Sequence, residues 1–211
     1  MMLIQRRQLV PVVSFCETST LESADMELGT DNWTGWGNPV SVASPGYGNG
    51  GLALIATDRT SWANGVYQRL QNLDCLVKGQ KWDITAKVNL YDSTGNFSSC
   101  NPKILRDCPS VRLYYEIGPE IHGFLDYHDT DMLWKTGDWN DLQVSFPVPL
   151  DGMTQLSLII CGGQAGTVLK VDDVAFFPSQ PSQQIEPPCG YENTILNGSF
   201  EHGSTKMGRL W

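Results

Sequence analysis

The plainest signal along the chain is an alternation of apolar and polar residues with a period of two. In residues 81–90, Trp82, Ile84, Ala86, Val88 and Leu90 fall on one side, and Lys81, Asp83, Thr85, Lys87 and Asn89 fall on the other. Side chains of an extended strand point alternately to opposite faces, so this segment predicts a strand with one buried and one wet face. The rhythm returns in 141–148, with Leu142, Val144, Phe146 and Val148 inward, and in 154–160, with Leu156, Leu158 and Ile160 inward. Segments 51–57, 65–71, 111–117 and 168–177 complete seven or eight predicted strands, bounded by Gly, Pro, Asn and Asp clusters. No long amphipathic helix competes with them. The pattern predicts an all-β fold over residues 20–177, a sandwich of two antiparallel sheets.

The rhythm stops after Phe177. Residues 178–188 are rich in Pro, Ser and Gln, too polar to pack, and read as an extended linker. Residues 189–211 then echo the start of the chain. Leu196-Asn-Gly-Ser-Phe-Glu-His-Gly203 matches the order of Glu22-Ser-Ala-Asp-Met-Glu-Leu-Gly29, and each copy has a cysteine upstream, Cys16 or Cys189. A truncated second repeat is the expectation. Residues 1–19 leave two readings open, because Arg6 and Arg7 before an apolar run resemble a signal peptide while Pro11 interrupts that run.

Composition narrows the setting. With 23 acidic against 14 basic residues, the formal net charge is −9, which disfavours nucleic acid and anionic lipid as partners. No stretch approaches the ~20 apolar residues that span a bilayer. The six cysteines include no C-x-x-C pair, so disulfides are expected rather than zinc. Cys100 and Cys108 bracket a short polar loop and are predicted to pair, with Cys16 to Cys75 as a second bond, Cys161 free and buried, and Cys189 left to the next repeat. Disulfides persist in oxidising compartments, so a secreted or cell-wall location follows, and the sequons at Asn32, Asn96 and Asn197 agree with it.

Four blocks in order resemble jelly-roll carbohydrate-binding modules of the family 4/9/22 type, in the galactose-binding-like superfamily. They are Asp25-Met-Glu-Leu-Gly29 with Trp33 and Trp36 behind it, Asp58-Arg-Thr-Ser-Trp-Ala-Asn-Gly-Val-Tyr-Gln68, Gly79-Gln-Lys-Trp-Asp-Ile-Thr-Ala-Lys-Val88, and Leu169-Lys-Val-Asp-Asp-Val-Ala-Phe176. The resemblance covers residues 20–177 and implies a jelly-roll sandwich that binds polysaccharide. The chain departs from the pattern in the insertion from Cys100 to Cys108 and in Met26, where the family usually has Phe.

A sugar site needs an aromatic ring to stack on the C–H face of the pyranose and polar groups to meet its hydroxyls. Trp62 stands beside Arg59, Thr60 and Asn64, and the resemblance puts the Trp of this block in the ligand groove. Alternation in 111–117 sets Arg112, Tyr114 and Glu116 on one face, against Val111, Leu113, Tyr115 and Ile117. The expected carbohydrate-binding residues are therefore Trp62, Tyr114, Arg59, Arg112 and Glu116. A solvated sheet face explains the second row equally well. Trp33, Trp36, Tyr127, Trp134 and Trp139 lie in or near loops, as platforms or as caps on the core, with Trp82 and Trp139 favoured as structural.

The resemblance also implies that Glu27, Asp172 and Asp173, from the first and last strands, hold a structural Ca²⁺. Oxygen ligands from distant parts of the chain suit that ion. Alternation sends Asp172 and Asp173 in different directions, so one of the two is the expected ligand. His122, His128 and His202 form no metal-binding pattern.

No nucleophile elbow, P-loop or dinucleotide fingerprint is present, and Glu116, Glu120, Asp126, Asp129 and Asp131 show no spacing that singles out a glycosidase pair. The sequence supports a non-catalytic module that keeps an attached glycoside hydrolase, or a cell-wall protein, on a neutral polysaccharide. The alternatives are a structural or adhesive extracellular repeat that binds protein or mineral, and a small glycosidase on the same fold.

Overall fold

The computed structural model describes residues 21–22, 24–48 and 51–179. The N-terminal segment 1–19, the linker beyond Ser179 and the expected second repeat lie outside the described residues. Ten strands form two five-stranded sheets. Sheet A runs in the order β1 (Thr34–Trp36), β4 (Gly65–Arg69), β9 (Gln155–Gly162), β6 (Pro109–Ile117), β7 (Ile121–Tyr127). Sheet B runs β2 (Val40–Ala43), β3 (Ala53–Ala56), β10 (Val168–Pro178), β5 (Lys81–Tyr91), β8 (Asn140–Pro147). Neighbouring strands pair antiparallel throughout, and the chain stays within one sheet only at β2–β3 and β6–β7. Every other connection crosses between sheets, which is the jelly-roll sandwich expected from the sequence.

The predicted alternations become the core. Trp82, Ile84, Ala86, Val88 and Leu90 of β5 are buried and face Leu156, Leu158 and Ile160 of β9 with Val111 and Leu113 of β6, all in one apolar cluster. Trp82 stacks on Phe176 at 4.7 Å between centroids, and Phe146 of sheet B meets Tyr127 of sheet A at 5.0 Å. Each ring pair adds about 0.5–1.5 kcal/mol beyond its burial. Trp33 is 3% exposed and Trp134 packs on the cluster, so these two are caps on the core.

Three strands escape the sequence pattern: β1, β2 and β7. The first two have three and four residues, too few to show a period. In β7 the alternation is broken by Gly123, where a Cβ would lie 2.7 Å from the Tyr115 hydroxyl oxygen. The glycine is required there because Tyr115 lies across it, half-buried against the core.

On β10 strict alternation fails. Leu169 and Val171 point inward, then the register shifts between Asp172 and Ala175, and Val174 and Phe176 point inward instead. Asp173, at φ 47°, takes up the extra residue of this bulge. Asp172, on the outward side with Lys170, is buried under the β2–β3 loop, where Tyr47 N donates to it, and Asp173 is exposed, so the two do not point the same way.

Cys100 and Cys108 form the predicted disulfide, and Cys161 is free and buried, as expected. Cys75 is disulfide-bonded; its predicted partner, Cys16, lies outside the described residues, as does Cys189. Among the described residues no helix is long and apolar enough to cross a membrane.

Candidate functional site

The outer face of sheet A, away from sheet B, is laid out by strand register. One row across β4, β9, β6 and β7 holds Tyr67, Ile159, Arg112 and Asp126; the next holds Arg69, Ser157, Tyr114 and Phe124; a third holds Gln155, Glu116 and His122. Ser157, Ile159 and Cys161 face outward on β9 yet have no exposed surface, so larger side chains roof the central strand. Trp36, on the edge strand β1, supplies part of that roof. Its ring meets Tyr67 at 5.2 Å, Tyr114 at 5.6 Å and Phe124 at 5.8 Å, reaching from one edge of the sheet to the strands at the other. Tyr114 and Phe124 are 5.2 Å apart.

Polar groups fringe these rings. The Tyr114 hydroxyl donates to Glu116 Oε1 at 2.7 Å, and this hydrogen bond, with desolvation and the carboxylate charge, raises the phenol above its ordinary pKa. Arg112 donates to Asp126 through Nε at 2.5 Å and Nη2 at 3.1 Å. Its guanidinium lies 4.5 Å from both the Trp62 and the Phe124 ring centroids. Arg106, from the disulfide-closed loop, lies 3.8 Å from the Trp62 ring. Cys161 is neighboured by Ser110, and burial pushes its thiol up to about 11, so it is inert at neutral pH.

Of the five residues expected at the site, Tyr114, Glu116 and Arg112 come together on this face, and Trp62 adjoins it through Arg112. Arg59 does not belong to the set, which corrects the expectation that it bonds sugar hydroxyls. It is 1% exposed, and its donors are taken by Asn64 O at 3.0 Å, Thr167 Oγ1 at 3.0 Å and Gly162 O. Burial lowers its pKa to about 10. Arg59 ties the 58–64 loop to the turn after β9 rather than reaching a ligand. Its two-residue alternation with neighbours carries no information about that, because the segment before β4 is a loop.

Tyr67, Phe124, Gln155 and His122 were missed by sequence reasoning. Period-two counting in β7 would have grouped His122, Phe124 and Asp126, had Gly123 not hidden the strand. Trp36 stands in the first block of the resemblance and among the loop aromatics, but not among the expected ligand residues.

The carboxylates expected to hold calcium lie at another place, around the loop between β2 and β3. Glu27 Oε1 accepts from Leu52 N at 3.1 Å, and Asp172 accepts from Tyr47 N at 2.6 Å and Asp173 N at 2.7 Å. Two glycines make room for them. A Cβ on Gly51 would lie 2.0 Å from Glu27 Oε1, and one on Gly46 would lie 2.6 Å from Asp172 Oδ2. Desolvation first, with Asp173 and Glu27 adding like charge, holds the Asp172 carboxyl above its usual range even though two backbone N–H groups oppose it. Such a carboxylate would gain from a cation. Among the described residues no three His, Cys, Asp or Glu side chains gather as a ligand set, so backbone oxygens would have to complete any shell.

No family model matches the sequence. No curated protein matches it either. The fold nevertheless has counterparts among solved structures, several of them described as carbohydrate-binding modules or domains. The chain is similar to the CBM22-2 xylan-binding domain of Paenibacillus barcinonensis Xyn10C, with 18% identity, a TM-score of 0.58, and coverage of 74% of this chain and 98% of that one. It is also similar to the CBM22-1-GH10 modules of Clostridium thermocellum xylanase 10B complexed with xylohexaose, with 14% identity, a TM-score of 0.58, and coverage of 79% of this chain and 29% of that one. The CBM22-1 xylan-binding domain of Paenibacillus barcinonensis Xyn10C is a third, with 19% identity, a TM-score of 0.53, and coverage of 77% of this chain and 96% of that one. At these identities the likeness establishes the fold.

Proposed function

We propose that this chain is a non-catalytic carbohydrate-binding module that holds a larger secreted or cell-wall protein on a neutral polysaccharide through the outer face of sheet A. The observation that carries the reading is the joined aromatic surface of Trp36, Tyr67, Tyr114 and Phe124, with Glu116, His122 and Gln155 in the adjoining row. Rings stack on sugar C–H faces and the polar row bonds hydroxyls, the two halves of carbohydrate recognition. The carboxylates of this face are engaged as acceptors, Glu116 by Tyr114 and Asp126 by Arg112, which suits binding rather than proton transfer. Structural counterparts described as xylan-binding make xylan the first ligand to try.

Calcium belongs to the same proposal as a structural ion, held by Glu27 and Asp172 with backbone oxygens of the β2–β3 loop. Its chemistry there is charge neutralisation of two facing carboxylates, which fixes the loop without touching the ligand face.

Affinity electrophoresis of the chain against xylan, β-glucan, mannan and galactan tests the reading. Retardation by at least one neutral polymer, without release of reducing sugar, is the expected result. Migration unaffected by all four, alongside a folded circular dichroism spectrum, would turn the interpretation toward a structural or adhesive repeat.

A further inference from the structure

At the Trp62 end of the sheet A face, on a chain of formal net charge −9, two guanidiniums stand at one shared carboxylate. Arg106 and Arg112 share one carboxylate, Asp126. Arg112 takes it as a two-point fork, while Arg106 approaches no closer than 3.8 Å and keeps 43% of its side chain exposed. Among the described residues Arg106 has no ion pair besides the long one to Asp126, and the neighbouring acid, Asp107, keeps its charge but turns both oxygens to other donors. Arg59 is spent on carbonyls and Thr167, and Asp107 accepts from Gln164 Nε2 at 3.1 Å and from Asn101 N at 2.7 Å. His128 is pushed toward its neutral form, chiefly by burial, with Asp126 opposing and Arg106 reinforcing.

The position of Arg106 is fixed by its loop. The Cys100–Cys108 disulfide closes it, and Lys103 Nζ donates to Thr130 O at 2.6 Å to pin its far side. Arg106 itself has φ 70°, a left-handed conformation that residues with a Cβ adopt at a cost, and such strain clusters at functional positions. The result is an exposed guanidinium 3.8 Å from the Trp62 ring centroid. Beside it, between the disulfide loop and the turns at 60–62 and 163–165, opens a depression of about 520 Å³ whose polar lining is Thr60, Ser61, Arg106, Gln164 and the carboxylate of Asp107, with Trp62 as its ring. A charged fork, two hydroxyls, an amide and a ring around a space that admits a monosaccharide are complementary to an acidic sugar.

We infer that this depression is a subsite for a carboxylated sugar, a hexuronate branch whose carboxylate pairs with Arg106 and whose hydroxyls meet Thr60, Ser61 and Gln164. The inference rests on the proposed glycan-binding role, in which the neutral backbone of the polymer lies on the aromatic face and the branch enters the depression. Arg106 is then a specificity residue, since the backbone is held without it. The overall negative charge of the chain disfavours a polymer that is acidic throughout and tolerates one that is acidic at intervals.

The test measures binding of a glucuronate-branched xylan, the same polymer after carboxyl reduction, and an unbranched xylooligosaccharide to the wild-type chain, Arg106→Gln and Tyr114→Ala. Wild type should prefer the branched polymer to its reduced form by about tenfold, as one charge-assisted pair warrants, and the preference should shrink with added salt. Arg106→Gln should lose the preference while binding the reduced polymer and the unbranched chain as wild type does, with an unchanged melting temperature. Tyr114→Ala should weaken all three ligands. Equal wild-type affinity for branched and reduced polymers, or a preference that survives in Arg106→Gln, overturns the subsite and leaves the glycan-binding role standing. Failure of wild type to bind any of the three removes both.

Discussion

On the outer face of sheet A, Trp36, Tyr67, Tyr114 and Phe124 make ring contacts with one another across the width of the sheet. On the outer face of sheet B, Tyr47 and Trp139 meet edge to face at 6.1 Å, and each ring has a lysine ammonium over it, Lys87 at 4.4 Å and Lys170 at 5.4 Å. Lys87 also pairs with Asp141, and Lys170 donates to Pro45 O at 2.5 Å. The depression beside Trp139, about 540 Å³, is lined by Asp129, Asp131 and Asp141. Both faces combine aromatics with polar groups, and both rings of the sheet B pair carry a cation, whereas on sheet A guanidiniums lie over Phe124 and Trp62 and leave Trp36, Tyr67 and Tyr114 to ring contacts. Aromatic content therefore does not identify a sugar site; what matters is whether ring surface remains after the protein's internal contacts are made.

Arg59→Met offers the largest effect on this comparison. It strands carbonyls that Arg59 now satisfies and should lower stability by about 2–4 kcal/mol, read as a shift of the denaturant midpoint, with sheet A binding lost only as far as folding is lost. Undiminished stability with abolished binding would return Arg59 to the ligand site.

Reducing the disulfide, or replacing Cys100 and Cys108 by Ser, frees a loop of sequence separation 8 and should cost about 2.5 kcal/mol. Because that loop carries Arg106, it should also weaken binding at the Trp62 end and leave lysine-capped sheet B unaffected. A melting curve identical to wild type would show that the loop is held by its other contacts.

The two faces are set directly against each other by Tyr114→Ala and Trp139→Ala. The first should remove about 1–3 kcal/mol of polysaccharide affinity with little change in melting temperature, and the second should leave affinity within about 0.5 kcal/mol of wild type. Isothermal titration of both variants decides the matter, and the opposite ranking would move the site to sheet B.

The smallest effect concerns Asp172, which supports the edge of sheet B. A carboxyl whose folded pKa is raised contributes stability that is fully present below its unfolded pKa and is lost as pH rises through the folded one. In EDTA, then, the melting temperature of wild type relative to Asp172→Asn should fall as pH rises from the carboxylate range to 7. Excess calcium at pH 7 should raise the wild-type value and not that of Asp172→Asn. No calcium response in wild type would discard the ion and keep the pH effect.

Sequence alone determined the strand phases of β5, β8 and the inward half of β9, the sandwich, and the Cys100–Cys108 bond, because each depends on residues close in the chain. Period-two burial is a property of a single strand, and two cysteines at a sequence separation of 8 cannot stray far from each other. It likewise placed Arg112, Tyr114 and Glu116 on one face, since that too is alternation. Tertiary structure decided which neighbours that face has. Trp36 and Phe124 lie 78 and 10 residues from Tyr114 and reach it only through the strand order β1-β4-β9-β6-β7. It also decided that Arg59 is buried, that Arg106 and Arg112 rather than Arg59 meet Trp62, and that the β2–β3 loop covers Asp172 while a bulge leaves Asp173 exposed. Sheet order, loop docking and bulges are set by packing among distant segments, and the local pattern of apolar and polar residues is the same whichever way those segments come together.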